Sequence, residues 1–472
     1  MMGQQQQQKE LFSYQIDLDR RVRVDNPLRQ VAGAIDFSFA RAEVEPTYGH
    51  NGNVSVDPAV ILKMMFLLFF DNVRSERQLM EILPERLDYL WFLGCGINDP
   101  VPDHSVLSKA RARWGSALFE KLFVRTVAAC VSAGLVDGTK IHVDGSLIAA
   151  HASKKSIVEG PPELIAALRA TYQEQAAKLE EPLPAAATQT RLSTTDPDTE
   201  LVRRPGQSAR LSYKQHRVVD DARGVITAQC TTGGSVPEDR QLMGLIAEHQ
   251  VHTAVAAQTV VADSQYGTAE NFLACADQGL TAHMADWKSH HPGGTADHYL
   301  GADQFVYDAP SDIYQCPAGQ ILCRYQKRAH KPAWEYKASG KVCAQCVLRA
   351  QCTTSKTGRR IQRFERQAEL DWLRAQANGP AARKNRRRRQ HLSEGSFADA
   401  TNSHGFKRSR WRRLWRQQIQ NHLIAACQNV RILLRNNRPQ RAAVAAMPRL
   451  LQTSLWKPLV RFLPTVQPFQ FN

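Results

Sequence analysis

Two short runs of β-branched residues, each stopping at an aspartate, constrain this chain more than any other feature. Lys-Ile-His-Val-Asp-Gly-Ser occupies 140–146 and Gln-Thr-Val-Val-Ala-Asp-Ser occupies 258–264. Both read as short buried strands that end on one carboxylate, Asp144 or Asp263, followed by small residues. Strand ends are rigid points from which a fold presents chemical groups to solvent. An aspartate in this setting is also a common turn or cap residue, so the pair alone leaves both readings open.

The totals narrow the surroundings. A chain of 472 residues has room for two or three domains and a large core. Its longest apolar run, 58–70, is interrupted by Lys63 and is too short to span a bilayer, and the glutamine-rich start lacks the blocks of a signal peptide. The expectation is a cytoplasmic protein with no membrane partner. Lysine and arginine exceed aspartate and glutamate by 61 − 45 = 16. The excess is clustered, with six basic residues among the seven of 383–389 and six among the ten of 407–416. A clustered basic excess points to a polyanion, and nucleic acid is the usual one.

Along the chain, 1–10 reads as a disordered tail and 11–136 as all-helical. Asp57-Pro58 starts an apolar helix, Ser75 and Gln78 have capping-box spacing, and a later helix carries Lys109, Arg111 and Arg113, a basic face with DNA contact or plain solvation as its role. The span 137–302 alternates strands and helices. It contains a proline-rich stretch, 152–206, that reads as an insertion or mobile arm, and a hairpin at 212–232 around a turn containing Gly224. Short β-like pieces fill 303–364, helices fill 365–436, and 437–472 is a tail of unassigned role. Trp411 and Trp415 read as packing residues.

Residues 303–364 also hold half of the ten cysteines, within 37 positions. Cys343 and Cys346 have the two-residue spacing that lets two thiolates share one zinc ion. With Cys316 and Cys352 they make a candidate four-thiolate site, Cys323 being a spare. Such a site has no open position, so its zinc would be structural. Reduced structural thiols are the alternative. The remaining five cysteines sit among apolar residues as plain core.

Three stretches taken together resemble a known family: Val143-Asp144-Gly145-Ser146, then Val261-Ala262-Asp263-Ser264-Gln265-Tyr266-Gly267, then Ser393-Glu394-Gly395-Ser396-Phe397-Ala398 with His404-Gly405 after it. In this order they are similar to the DDE transposases of bacterial insertion sequences. The helical region adds Ser75-Glu76-Arg77-Gln78-Leu79, Trp91-Phe92-Leu93-Gly94 and Pro102-Asp103-His104-Ser105 to the likeness. The resemblance implies an α/β fold: an RNase-H-like catalytic domain, an all-α N-terminal domain and a small cysteine-rich, zinc-ribbon-like β insert. It implies that Asp144, Asp263 and Glu394 are the catalytic carboxylates and hold Mg²⁺ or Mn²⁺. It further implies cleavage at transposon ends in double-stranded DNA, strand transfer into target DNA, and a homodimer on that DNA. A convergent acidic trio makes physical sense with cations, which cancel the mutual repulsion of carboxylates. In related transposases a lysine follows the glutamate by about seven residues, where this chain has Thr401. Arg386, Arg387 and Arg389 before Glu394, and Lys407, Arg408 and Arg410 after it, are the candidate DNA-binding residues. The alternative function is a catalytically inactive DNA-binding protein, a repurposed transposase or repressor.

Overall fold

The computed structural model describes residues 17–49, 54–177, 190–204, 206–285, 300–329 and 331–436. The tails expected at 1–10 and 437–472 lie outside the described residues, as do 178–189 of the expected insertion. The architecture is mixed α/β, with a helical N-terminal region followed by two main sheets and three C-terminal helices.

The first region runs through α1 (Leu18–Arg21), α2 (Pro27–Ala34), α3 (Phe39–Val44), α4 (Pro58–Phe70), α5 (Glu76–Ile82), α6 (Leu87–Leu93), α7 (Ser105–Trp114) and α8 (Ala117–Ser132). Local chemistry explains the starts. Asp57 accepts the Ala59 N–H at 2.8 Å ahead of Pro58, and Ser75 accepts the Gln78 N–H at 3.1 Å. Every residue of α4 is buried except Lys63, whose ammonium reaches the Phe92 carbonyl at 2.7 Å. The core around α4 is shared with the far end of the chain: Phe397, Phe406, Leu423 and Val430 belong to the same buried cluster.

The main sheet begins with β1 (Lys140–Ala149). The chain then makes β2 (Ile157–Glu159), α9 (Pro162–Ala177), β3 (Arg191–Ser193), β4 (Glu200–Val202), β5 (Arg210–Asp220), β6 (Ile226–Gly233), α10 (Leu242–Thr253), β7 (Thr259–Ala262), α11 (Ala269–Asp277) and β8 (Thr281–Met284). Strand order is β4-β5-β1-β7-β8, with β6 also on β5 and β2 paired with β3 apart from the sheet. β1 is antiparallel to β5 and parallel to β7, and β7 is parallel to β8. Ile141 and Val143 pack with residues of α10 and α11 on one face. The intervening His142, Asp144 and Ser146 therefore look to the other face.

A second, five-stranded antiparallel sheet follows: β9 (Val306–Asp308), β10 (Ile313–Gln315), β11 (Ile321–Lys327), β12 (Ala333–Ala338), the short helices α12 (Gly340–Ala344) and α13 (Arg349–Cys352), then β13 (Arg360–Phe364). Its core is small, built on Phe305, Tyr314, Leu322, Tyr336 and Ile361. The chain closes with α14 (Gln367–Ala377), α15 (Pro380–His404) and α16 (Leu414–Asn436). Gly405 ends α15 in the left-handed region, φ 68°.

Three expectations need correction. β1 does not stop at Asp144 but continues to Ala149, because β5 pairs with it along that whole length. What ends there is the pairing with β7, last seen at His142↔Val261. Second, Ser193–Thr199 is not a loose arm. Asp196 and Asp198 are buried, and Asp198 accepts the Leu414 N–H at 3.0 Å and the Arg413 guanidinium at 3.1 Å at the start of α16. Third, α7 does not present all its cations to solvent. Arg111 is buried, ion-paired with Glu76, and stacked over Trp411.

Candidate active site

The parallel register of β1 and β7 pairs Lys140 with Thr259 and His142 with Val261, an offset of 261 − 142 = 119. Continued two residues, the same offset sets Asp144 beside Asp263. Neighbouring strands lie about 4.8 Å apart, and the Asp263 charge is near enough to raise the Asp144 carboxyl. Asp263 sits just past β7 and folds back to accept the Gln265 N–H at 2.8 Å. Both aspartates were singled out from sequence, and the structure brings them together.

Their surroundings are electrically loaded. Burial pushes the Asp144 carboxyl up to about 6; the guanidinium of Arg389 pulls it down, and the nearby charges of Asp263 and Glu238 push it further up. Arg389 Nη1 lies 2.8 Å from Asp144 Oδ2. On the other side, β5 sets Arg217 directly across from Asp144. Arg217 is fully buried and donates to Ser396 Oγ at 2.8 Å, Gln428 Oε1 at 3.1 Å and Gln215 Oε1 at 2.6 Å. Burial drags its guanidinium down to about 9, and the Asp144 charge opposes that drop.

Glu238 and Arg217 carried no sequence signal that singled them out, and Tyr266 entered only as part of the motif around Asp263. A Cβ on Gly145 would come within 2.8 Å of Glu238 Oε2, so a glycine after Asp144 is what lets that carboxylate approach β1. Burial raises the Glu238 carboxyl, Lys214 at 3.3 Å offsets this, and Asp263 adds to it. Tyr266 is buried, with its hydroxyl 3.3 Å from His216 Nδ1. The available signal for Arg217 was an arginine just before Val218 and Val219 in the β5 run, at a position whose pairing only the fold reveals.

Asp263 opens onto a cleft of about 560 Å³. Its other walls are Ser264, Ala285 and, from α15, Arg383, Arg386, Arg387, Arg389 and Gln390. Glu394 is exposed on α15 and makes no hydrogen bond or ion pair among the described residues. At about 100° per residue it falls on the helix flank of Arg383, Arg387 and Gln390, the flank that walls the cleft. The structure thus sets Glu394 on the cleft side of α15 without joining it to the aspartates. Among the described residues no three His, Cys, Asp or Glu side chains converge closely enough to hold a metal ion as they stand.

The other basic candidates divide. Arg387 and Arg408 are exposed; Lys407 is also exposed along its stem, with its ammonium 2.6 Å from Ser146 Oγ. Arg386 is tied to the Ala377 carbonyl. Arg410 is spent on structure: it donates to the Val73 carbonyl at 2.6 Å and to Asn72 Oδ1 at 3.0 Å, and stacks over Phe69. It fastens the loop before α16 to the helical region, so its guanidinium is already committed to protein partners.

In the second sheet, Cys316, Cys343, Cys346 and Cys352 line one small cavity of about 20 Å³. Burial raises the Cys352 thiol, Arg359 lowers it, and Cys343, Cys316 and Cys346 each raise it; as they stand, the four do not converge tightly enough to hold a metal ion. Cys323 is exposed and is not among the lining residues. All ten cysteines are free thiols. No described helix is long and apolar enough to cross a membrane.

Residues 16–113 match the family described as transposase domain (DUF772), and residues 315–434 match the family described as transposase DDE domain. None of the curated proteins matches the chain. Among solved structures the chain is similar to a piggyBac transposase synaptic complex with hairpin DNA. That likeness has 8% identity, covers 87% of this chain and 73% of that one, and has a TM-score of 0.36, too distant to carry any argument here. The chain thus carries a match to a transposase domain followed by a match to a transposase DDE domain, consistent with a DDE transposase.

Proposed function

We propose that Asp144, Asp263 and Glu394 form the catalytic carboxylate set of this transposase, holding Mg²⁺ or Mn²⁺ in an RNase-H-like sheet. The observation that carries the reading is the closeness of Asp144 to Asp263, whose charge raises the Asp144 carboxyl, with Asp263 lining an arginine-walled cleft. The strand order, with β5 and β6 antiparallel to their neighbours on one side of β1 and β7 and β8 parallel on the other, supports the RNase-H-like assignment. The donor set fits hard divalent cations, being all oxygen and already balanced in part by Arg389. Bound there, such cations supply activation of the attacking oxygen and neutralisation of the leaving one.

The chain's own residues do the rest. Arg383 and Arg387 hold backbone phosphates along the cleft, so that the scissile phosphodiester lies over Asp263. Water attacks phosphorus, one P–O bond forms as another breaks, and a 3′-hydroxyl is released. That hydroxyl then attacks a target phosphodiester in the same way, so strand joining conserves the bond count and needs no outside energy source. Glu394 reaches the aspartates by a side-chain swing from its flank of α15. The substrate is double-stranded DNA at element ends and at the target, and the acting form is a homodimer on DNA in the cytoplasm.

We further infer that Cys316, Cys343, Cys346 and Cys352 hold one structural zinc, their shared cavity being the support. The four thiols suit zinc and leave no open position, so the ion would brace the second sheet and take no part in the reaction. The test of the catalytic reading is nicking of labelled duplexes bearing the element's ends, in magnesium or manganese, with the wild type and an Asp263→Asn variant. Cleavage by the first and not the second supports the assignment. Tight binding by both with no product from either favours a binding protein without catalysis.

A further inference from the structure

Arg389 stands where a divalent cation would have to act. Its guanidinium pairs with Asp144 at 2.8 Å and also lines the cleft onto which Asp263 opens. The two side chains are only 14% and 15% exposed, so the pair is screened little by solvent. Yet Arg389 is loosely held for so buried a cation. Its Nε is buried and has no hydrogen-bond partner, as is also true of Arg217 Nε, but the other nitrogens of Arg217 have three side-chain acceptors and Arg388 has both the side chain and the carbonyl of Asp221. A buried donor left unmade is costly, and it leaves the side chain with a reason to move. A place to go lies next to it: the cleft walled by Arg383, Arg386 and Arg387, which a phosphate backbone would fill with negative charge.

We propose that Arg389 is a placeholder cation that occupies Asp144 in the DNA-free protein and hands it to the divalent ion when phosphates draw the guanidinium into the cleft. The inference rests on the reading of Asp144 and Asp263 as the metal-holding pair. A guanidinium and a divalent ion cannot share Asp144 without strong repulsion, so the two compete for it. Phosphate in the cleft favours the displaced arginine, so DNA and metal each tighten the binding of the other, and by linkage they do so by the same factor. A DNA-free molecule is then poorly loaded and does not cut, and loading follows docking. Arg389 acts here as a positioning residue, through Asp144.

The test is Mn²⁺ binding followed by electron paramagnetic resonance, with and without a short random-sequence duplex, which supplies phosphates whatever the element's ends are. The expected result is that DNA tightens Mn²⁺ binding to the wild type roughly tenfold, within the usual span of such couplings. Arg389→Gln without DNA should already bind at the tightened level and gain little more from the duplex, while Arg389→Lys, which keeps the charge, should behave as the wild type. Weaker Mn²⁺ binding by a folded Arg389→Gln, or a wild type indifferent to DNA, overturns the proposal; the wild-type arm stands even if the glutamine variant fails to fold. The double variant Asp144→Asn/Arg389→Gln separates the two readings: if it retains tight Mn²⁺ binding, the metal does not sit on Asp144 and the underlying site assignment has failed.

Discussion

Asp263, one residue past the end of β7, lies close enough to Asp144 on β1 for its charge to raise the Asp144 carboxyl. The sheet thus delivers two carboxylates side by side on rigid backbone, with an arginine cleft at their edge. Two like charges so placed repel, and the fold tolerates them by burying one beside Arg389.

The burial of Asp144 has a measurable sign. The Asp144 carboxyl is raised from its ordinary value to about 6, so the folded protein binds its proton more tightly than the unfolded chain does. Stability from this group is full below the ordinary carboxylate range and is lost as pH rises toward 6. Without divalent cations, Asp144→Asn should therefore be more stable than the wild type near neutral pH by about 1–3 kcal/mol, and no more stable below about pH 4. Urea unfolding at the two pH values checks this, and a destabilised asparagine variant at neutral pH would contradict it.

Glu394 should behave differently. It is exposed and unpartnered among the described residues, so Glu394→Gln should change stability by less than about 0.5 kcal/mol. On the proposed mechanism it should still abolish cleavage. Thermal melts beside a nicking assay separate a chemical role from a structural one, and full activity in a folded glutamine variant would remove Glu394 from the site.

The cleft arginines should read the backbone and not the sequence. Arg383→Ala and Arg387→Ala should weaken binding to every duplex alike. Each should lower the slope of log affinity against log salt by about 1. Arg410→Ala should instead act on stability, since its guanidinium is bonded to Val73 and Asn72. Salt titrations of binding by fluorescence anisotropy distinguish the two classes.

Asp198 anchors the start of α16. Its removal takes away acceptors for the Leu414 N–H and the Arg413 guanidinium in a buried setting. Asp198→Ala should cost about 2–4 kcal/mol, a lost cap plus a less well paired cation. Denaturant unfolding measures it, and a near-neutral result would mean that the start of α16 is held by other contacts.

The cysteine cavity should respond to metal as a unit. Purified protein should carry one zinc per chain by elemental analysis, and Cys343→Ser should lose it. Loss of zinc should loosen the second sheet, whose own buried core is small. Zinc-free protein with an unchanged melting curve would leave the thiols as plain packing residues.

Much of this was legible in the sequence, for definable reasons. The strand settings of Asp144 and Asp263 were, because β-branched runs follow local rules, and α4 was, because Asp57-Pro58 and an apolar run broken only by Lys63 leave little choice. The end of β1 was not, since it depends on β5 pairing past Asp144, a contact 73 positions away at Asp144↔Arg217. Nor was the role of Asp198, whose neighbours looked like a polar loop until α16 came to meet it. Arg410 read as one more surface cation because its partners, Val73 and Asn72, lie more than 300 residues earlier. Glu238 carried no motif at all; only the tertiary approach to Gly145 marks it.

One measurement bears most directly on the two neighbouring aspartates: cleavage of end-bearing duplex DNA in Mg²⁺ by wild type, Asp144→Asn and Asp263→Asn, with DNA affinity measured on the same samples. The account predicts product from the wild type only and near-equal binding by all three. Cleavage by either asparagine variant at the wild-type rate would contradict it.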